Sequence, residues 1–415
     1  MSKRNRRGRI IGSDVLVVGI DVAKRRHVAV CRRPNGLKEK AFSFINLRTG
    51  FERLLELSDR SRQRSGCCSV LFALEATGHY GHALRQFLDD HGFALMGVNP
   101  AHTKRAKELE DNSPEKSDPK DAGLIADLAA QGRARPLMIP RGEFADLRRL
   151  GKLRQRLVVE RIRYLNRYHG LVDLLLPELV AIVRDVACRT MRRMFEKWPT
   201  ATDVAGVDYE AFEDQLWRWS RGHIDRAKIT LIHRASWHSV GLHEGLDAAK
   251  LEMKQLLAAL IQVEQNLADV ERAQEATLLR VPYAKLLLSV PGLGPVSVAM
   301  ILGETGDLRS FPSAEAVIKL AGYNLYRLAS GSFKGKTRIT KRGRPLLRHQ
   351  LFLAALRLSK SGSPLETFRN RLRERKTGPE VAVAGSRKLL RLLFALVRDG
   401  QSYEPGRLGV HQPAA

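Results

Sequence analysis

Cysteine is scarce in this sequence, and the few that occur exclude two kinds of stabilising site. The 415 residues include only Cys31, Cys67, Cys68 and Cys188. Two of these are adjacent and none lies in a C-x-x-C spacing, so neither a disulfide framework nor a zinc site is indicated. This usage is typical of a protein of the reducing cytoplasm.

Long apolar runs are also missing. A membrane-spanning helix needs an uninterrupted stretch of about 18 apolar residues, and none occurs in the sequence. The amino terminus, MSKRNRRGRIIG, starts with positive charge but lacks the apolar segment of a secretory signal. We therefore expect neither secretion nor a membrane span.

Acidic residues are greatly outnumbered by basic ones. There are 44 Asp and Glu against 71 Lys and Arg, which gives a formal charge of +27 and a pI near 10.4. Between Glu315 and Glu366 there is no carboxylate, although Lys and Arg are frequent. Such an excess favours a polyanionic partner, above all nucleic acid. A ribosome-like or simply soluble basic protein is the alternative that charge alone leaves open.

The first part of the chain, residues 14–131, alternates short apolar runs with helical patterns. The runs that predict strands are DVLVVGI, HVAVC, AFSFI, CSVLFAL and FALMGV. Helices are predicted in FERLLELSD, HYGHALRQFLDDHG, AHTKRAKELED and residues 118–130, and PNG predicts a hairpin turn after the second strand. Three meandering strands followed by alternating helices and strands make a mixed α/β sheet.

Two long helical patterns follow this α/β region. Residues 143–176 carry leucines at helical spacing with arginines on the other faces, and Gly151 weakens this helix without ending it. Residues 246–280 carry two heptad series offset by three, namely Leu246, Met253, Leu260, Leu267 and Ala249, Leu256, Val263, Val270. The heptads predict a coiled coil, either between protomers or folded back on the 143–176 helix.

Two acidic residues come directly after apolar strands. Asp21 ends the first strand and Glu75 ends the fourth, where an unpaired buried carboxylate would be costly. Asp118 and Asp121, in KSDPKDAG, are one turn apart if Asp118 opens a helix as its cap or in its first turn. Four converging carboxylates need cations between them, and oxygen ligands suit Mg²⁺ or Mn²⁺. Taken singly, a helix cap or a turn aspartate would explain each; the set of four favours a metal site.

The last region, from residue 281, contains two signals for nucleic acid. Pro291-Gly292-Leu293-Gly294 lies between apolar helical segments and resembles the hairpin of a helix-hairpin-helix module, although PGxG also makes an ordinary turn. The stretch LASGSFKGKTRITKRG is rich in Gly and cations and contains Ser330 and Ser332. It predicts either a flexible phosphate-binding loop or a serine nucleophile among cations, and both remain open.

Several of these motifs, in this order, resemble the insertion-sequence 110 type transposases, relatives of the pilin-gene inverting recombinase. They are GIDVAK, ALEATG, KSDPKDAG, VPGLGPVSVAMIL, the AGY…SG…KGKTRITKRG stretch and RKLLRLLFALV. The resemblance implies an RNase H-like (RuvC-type) domain whose DEDD tetrad is Asp21, Glu75, Asp118 and Asp121. It also implies a carboxy-terminal transposase domain whose nucleophile is Ser330, with Ser332 as the neighbouring candidate.

The same resemblance implies the partners. These are the DNA of element ends and target, a guide (bridge) RNA encoded by the element, and a second copy in a homodimer or homotetramer, in the cytoplasm of a bacterium or archaeon near the nucleoid. The residues expected to contact nucleic acid are Lys116, Lys120, Gly292, Gly294, Lys334, Lys336, Arg338, Lys341 and Arg342.

The expected domain division has five parts. They are a basic arm (1–13), the DEDD domain (14–140), a helical linker with the coiled coil (141–280), the transposase domain (281–400) and a tail (401–415). Two other functions remain as alternatives: a metal-dependent Holliday-junction nuclease without serine chemistry, and a non-catalytic nucleic-acid-binding protein.

Overall fold

The protein has two compact units, and their boundary falls between Ile139 and Pro140. The computed structural model describes residues 12, 14–75, 78–110, 117–330 and 333–405. Most of the basic arm, residues 76–77, Lys116, Ser332 and the end of the tail therefore lie outside the described residues. The first unit is built on a mixed sheet and the second is mostly helical.

The first unit contains a six-stranded sheet and four helices in its described part. The strands are β1 (Val15–Asp21), β2 (Arg26–Arg32), β3 (Phe42–Ile45), β4 (Ser69–Glu75), β5 (Ala94–Val98) and β6 (Arg135–Pro136). The helices are α1 (Arg48–Arg64), α2 (His82–Asp90), α3 (Pro100–Glu110) and α4 (Asp118–Ala130). The strand order is β3-β2-β1-β4-β5-β6.

The sheet confirms the predicted mixture of a meander and alternating elements. β1, β2 and β3 pair antiparallel in succession, whereas β1, β4 and β5 run parallel. All five predicted strands form, and α4 has the predicted bounds. β6 was not predicted, because two residues that include Pro136 carry no alternating pattern.

The two faces of the sheet have separate cores because side chains alternate along each strand. Val18 and Ile20 of β1 pack in one cluster with residues of α1 and α2, such as Leu54 and Leu84. Val17 of the same strand packs on the other face with α4.

Helix α4 lies directly on β1, and Gly19 permits this contact. A Cβ atom at Gly19 would lie 2.2 Å from the carbonyl oxygen of Ala122 and 2.5 Å from the amide nitrogen of Ala126. Further along α4, Asp127 accepts a hydrogen bond of 2.7 Å from Arg32, which is the β2 neighbour of Val17. The helix therefore runs antiparallel to β1, and its first turn lies at the carboxyl end of that strand.

The second unit is helical except for one two-stranded hairpin in its described part. Its long helices are α5 (Glu143–Leu175) and α11 (Leu246–Leu279). Between them lie α6 (Leu179–Ile182), α7 (Arg189–Lys197), α8 (Ala201–Ala205), α9 (Tyr209–Ser220) and α10 (Arg226–Trp237). After them come α12 (Ala284–Leu288), α13 (Pro295–Thr305), a 3₁₀ turn (Leu308–Ser310), α14 (Ala314–Ala321), β7 (Leu325–Ser330), β8 (Phe333–Ile339), α15 (Pro345–Leu358), α16 (Glu366–Arg373) and α17 (Gly378–Asp399). Across the described residues, the helices are too short or too polar to cross a membrane.

The two long helices pack against each other within one chain. Ion pairs join Arg154 to Glu271 at 2.7 Å and Arg161 to Glu264 at 2.9 Å. Moving seven residues forward along α5 therefore moves seven residues backward along α11, so the two helices are antiparallel. Between these pairs Leu157 packs with buried residues of the α11 heptad. Within one chain α11 lies antiparallel on α5, and α5 continues through Gly151 as predicted. The coiled coil itself stays a prediction.

Replacing Gly19 by Ala should destabilise the first unit, because the added methyl would overlap the backbone of α4. We expect the free energy of unfolding to fall by about 1–3 kcal/mol, as for other overpacked cores. Urea-induced unfolding of the whole chain, followed by circular dichroism, measures the change.

The matched control is Gly123→Ala in α4 itself, where the nearest atom to the new methyl is the Lys38 side chain at 3.5 Å. This change should be neutral or stabilising by up to about 1 kcal/mol, since alanine favours helices over glycine. Equal effects of the two substitutions would contradict the close contact.

Candidate active site: acidic strand ends and a basic hairpin

Asp21 and Glu75 lie side by side at one edge of the sheet. β1 and β4 are parallel neighbours with Ile20 opposite Leu74, and each of these residues is followed by the acidic one. Ala73, two residues before Glu75, and Val17, four residues before Asp21, pack against α4. Because side chains alternate, Asp21 and Glu75 also face the α4 side. Both are half-buried.

The first turn of α4 supplies the other two predicted carboxylates. Ser117 is the N-cap, its hydroxyl accepting from the amide of Lys120, so Asp118 is a first-turn residue and not the cap. Asp118 is exposed, whereas Asp121 is only 7% exposed. Since this end of α4 lies at the carboxyl end of β1, the backbone of the Asp118–Asp121 turn lies toward the same edge of the sheet as Asp21 and Glu75.

A lysine that sequence reasoning missed holds the buried carboxylate. Nζ of Lys107, on α3, lies 2.5 Å from Oδ1 of Asp121. In the described residues no three His, Cys, Asp or Glu side chains lie close enough together to hold a metal ion in this arrangement. Of the two lysines predicted beside the aspartates, Lys120 is exposed and Lys116 lies outside the described residues.

Asn46 joins the two loops that follow the acidic strand ends, a role that no sequence pattern predicts. Its side-chain amide donates to the carbonyl oxygen of Lys24, after β1, at 3.3 Å and to that of Tyr80, after β4, at 3.1 Å. One polar side chain thus fixes the chain just beyond both Asp21 and Glu75.

His27 supports the same loop from inside the core. Its Nδ1 accepts from the amide of Ala23 at 3.1 Å, so the proton of the neutral ring lies on Nε2. Burial lowers the pKa of His27, and interaction with the Asn46 side chain opposes this only in part. The ring is fully buried between Phe44 and Phe51, and we infer that it stays neutral at physiological pH.

Ser330 lies at the tip of a β-hairpin in the second unit. It is the last residue of β7, is paired with Phe333 across the turn, and is exposed. The sequence left a flexible loop open here, but the structure has an antiparallel hairpin. Arg338, Lys341 and Arg342 follow along β8 and its end and are exposed. Lys334 and Lys336 lie on β8, and their side chains are outside the described residues, as is Ser332.

The base of this hairpin is held by backbone contacts and two half-buried arginines. Lys341 has a left-handed backbone (φ 53°), and its amide donates to the carbonyl of Gly322 at 3.0 Å. Arg348 donates to the carbonyl oxygens of Ala321 and Lys341. Arg344 donates to the carbonyl oxygen of Glu304, and burial lowers the pKa of its guanidinium to about 10. The hairpin therefore projects from a fixed base.

The predicted Pro-Gly turn joins two helices. α12 and α13 are connected by residues 289–294, in which Gly292 is left-handed (φ 85°). Gly294 is the N-cap of α13 and supplies no side-chain cap, and no atom lies within 4 Å of a Cβ built there. The turn is a helix-hairpin-helix-like element in its connectivity, and Gly294 leaves room for a ligand to approach the backbone.

Acidic strand ends in an α/β unit and an exposed serine in a basic hairpin are the features expected of an enzyme that acts on nucleic acid. Comparison with known proteins agrees: a sequence profile described as "Transposase" matches residues 18–177, and a second, "Transposase IS116/IS110/IS902 family", matches residues 284–370. The chain belongs to this family of transposases and is a DNA transposase of the recombinase type.

Two relatives match this chain over nearly their whole length. The chain is 25% identical to the 44.8 kDa protein of insertion element IS116 from Streptomyces clavuligerus, over 94% of this chain and 97% of that protein. It is 26% identical to the 43.6 kDa protein of insertion element IS110 from Streptomyces coelicolor, over 93% and 95%. The pilin gene-inverting protein of Moraxella bovis is 31% identical over 29% of this chain and 38% of its own.

Replacing Asn46 by Ala should loosen both loops beside the acidic strand ends. Two hydrogen bonds are lost, which costs about 1–3 kcal/mol of unfolding free energy. Amide hydrogen exchange in residues 22–26 and 78–81 should accelerate more than in the strands. The control is Asn35→Ala, since the Asn35 side chain accepts only from Leu37 within its own turn; accelerated exchange at these loops in both variants would contradict the role of Asn46.

Proposed function

We propose that this transposase excises and inserts a mobile element by cutting and rejoining DNA with four carboxylates and one serine. The carboxylates are Asp21, Glu75, Asp118 and Asp121, on an RNase H-like domain of about residues 14–140, and the serine is Ser330. The observation that carries the proposal is the contact of α4 with Gly19, which brings the Asp118 turn to the strand ends of Asp21 and Glu75.

The acidic set fits Mg²⁺ or Mn²⁺ by its chemistry. All four donors are carboxylate oxygens, which these hard cations prefer. The nearly buried Asp121 already has a cationic partner in Lys107, as a carboxylate in that environment requires. When bound, the metal would supply Lewis-acid activation at the DNA phosphate. The carboxylates would hold it, and Asn46 would keep the loops after Asp21 and Glu75 in place.

Ser330 would act as the nucleophile at the tip of the hairpin. Its Oγ would attack the phosphorus of a DNA phosphodiester, forming a phosphoserine ester as the bond to a deoxyribose oxygen breaks and that oxygen takes up a proton. Attack on the ester by a second DNA hydroxyl would restore the serine and rejoin DNA without an energy source. Arg338, Lys341 and Arg342 would stabilise the charge on the phosphate oxygens.

The remaining parts of the proposal concern partners. We propose that a guide RNA selects the sites and that the chain works as a dimer or tetramer, with contributions from the long-helix region that includes the α5–α11 pair. The formal charge of +27 supports binding to nucleic acid, whose phosphates it would neutralise. Lys120, Gly292, Gly294 and the cations of the hairpin would contact phosphates.

Substituting Asp21 by Asn or Glu75 by Gln should abolish DNA cleavage while leaving DNA binding intact. Each change removes a charged oxygen ligand and keeps the shape of the side chain. Calorimetric titration with Mn²⁺ should show weaker binding as well. The control is Asp14→Asn at the other end of β1, an exposed aspartate that should tolerate the change. Unchanged cleavage in the Asp21 and Glu75 variants would favour a non-catalytic nucleic-acid-binding protein.

Substituting Ser330 by Ala should abolish the covalent protein–DNA adduct and strand exchange. Denaturing gel electrophoresis with end-labelled DNA detects the adduct. Ser332→Ala is the matched control, two residues away in the sequence, and should retain the adduct. If Ser330→Ala still cleaves DNA hydrolytically, the chain is a junction nuclease; if only Ser332→Ala loses the adduct, Ser332 is the nucleophile.

A further inference from the structure

The segment between the two profile matches forms a helical module with a cleft of its own. Residues 178–245 lie outside both matched ranges and include α6 to α10. The cleft has a volume of about 490 Å³ and lies between the start of α7 and the α9–α10 turn. Among its lining residues are Arg184, Arg189, Arg221, Lys228, Trp219 and Cys188.

Positive charge is concentrated at this cleft although the module as a whole is neutral. Residues 178–245 contain ten Lys and Arg and ten Asp and Glu. Elsewhere in the module three cations form ion pairs: Arg218 with Asp214, Arg226 with Glu213 and Arg192 with Glu264. The four cations of the cleft form no ion pair within the described residues, and all four are exposed. Asp185 is the one carboxylate among the described lining residues, so four cations face one anion and the excess positive charge is relieved by a further anion.

The backbone at the cleft is also held in an uncommon conformation. Arg221 ends α9 in the left-handed region (φ 53°, ψ 39°), which a non-glycine residue adopts at a cost of roughly 1–2 kcal/mol. Gly222 follows, also left-handed, and packs against the ring of Trp217. Such strain is concentrated at ligand-binding sites, and here it places an unpaired guanidinium at the cleft.

Trp219 gives the cleft an aromatic wall. Its ring is half-buried and rests on Trp198 at a centroid distance of 5.8 Å, with Lys197 over both rings. Proteins bind single-stranded nucleic acids with this combination of an aromatic ring and unpaired cations, because bases stack on the ring while the cations neutralise phosphates. The volume is in the range of about 300–1,000 Å³ typical of small-ligand pockets, which suits an unstacked nucleotide and not a duplex.

We propose that this cleft binds an unpaired nucleotide of a single-stranded nucleic acid, with phosphates at Arg184, Arg189, Arg221 and Lys228 and a base against Trp219. The site lies apart in sequence from the four carboxylates and from Ser330. It needs neither of them, so the failure of the proposed chemistry and the failure of this site are separable.

The thiols of the chain provide a direct test on the unaltered protein. Cys188 lines the cleft and is half-buried, Cys68 is exposed in the first unit, and Cys31 and Cys67 are buried. With an unstructured RNA or DNA strand at ten times its Kd, alkylation of Cys188 should slow about tenfold, because only unbound protein reacts. Alkylation of Cys68 should not change, and mass spectrometry of tryptic peptides measures both rates.

Paired charge variants test which cations take part. Arg189→Gln with Lys228→Gln should weaken binding and lower the slope of log K against log salt by about 1.4, as for two phosphate contacts on a single strand. The control, Arg218→Gln with Arg226→Gln, removes the same charge from ion-paired positions of the same module and should leave the slope unchanged.

The outcomes show whether RNA or DNA is the ligand and whether the cleft is the binding site. Protection of Cys188 by RNA alone, or by DNA alone, identifies the strand and supports the site. Protection by duplex only, binding without protection, an equal loss in both charge variants or no binding at all would overturn it. Asp21→Asn should keep the protection even where it abolishes DNA cleavage.

Discussion

The contact between the backbones of α4 and β1 at Gly19 is the constraint on which the acidic edge depends. A helix ordinarily packs on a sheet through side chains, whereas here the carbonyl of Ala122 and the amide of Ala126 occupy the space of a missing Cβ. Asp127 adds a second constraint, because Arg32 and Lys38 both bind its carboxylate and fix the direction of the helix. Position and direction together bring Asp118 and Asp121 to the ends of β1 and β4.

This placement buries a carboxylate, and another helix of the first unit supplies the cation that compensates it. A carboxylate as buried as Asp121 is costly unless a cation accompanies it. Lys107 provides one from α3, and a divalent ion at the proposed site would compete with it for the same oxygens.

Sequence patterns predicted those parts of the molecule whose signal is local. Apolar runs identified β1 to β5, and the heptad identified the packed face of α11, because each depends on residues a few positions apart. The packing partner of that heptad was not predictable, since fold-back and self-association bury the same positions. The roles of Lys107, His27 and Asn46 were not predictable for a related reason: each contacts a residue or loop that only the sheet order brings near. No local pattern predicts the β7–β8 hairpin, because β8, FKGKTRI, carries Lys and Gly where an ordinary strand alternates apolar residues.

Among the described residues, the non-glycine residues with a left-handed backbone are Arg221 and Lys341. Both are exposed cations, one beside the cleft of the helical module and one at the base of the serine hairpin. Between Glu315 and Glu366 there is no carboxylate to neutralise the hairpin, as the cleft cations also have no ion pair in the described residues. Strain and unpaired charge together oppose folding at both places, and phosphate relieves the electrostatic part of that cost. Nucleic acid bound at the proposed hairpin and cleft sites would therefore raise the conformational stability of both surfaces.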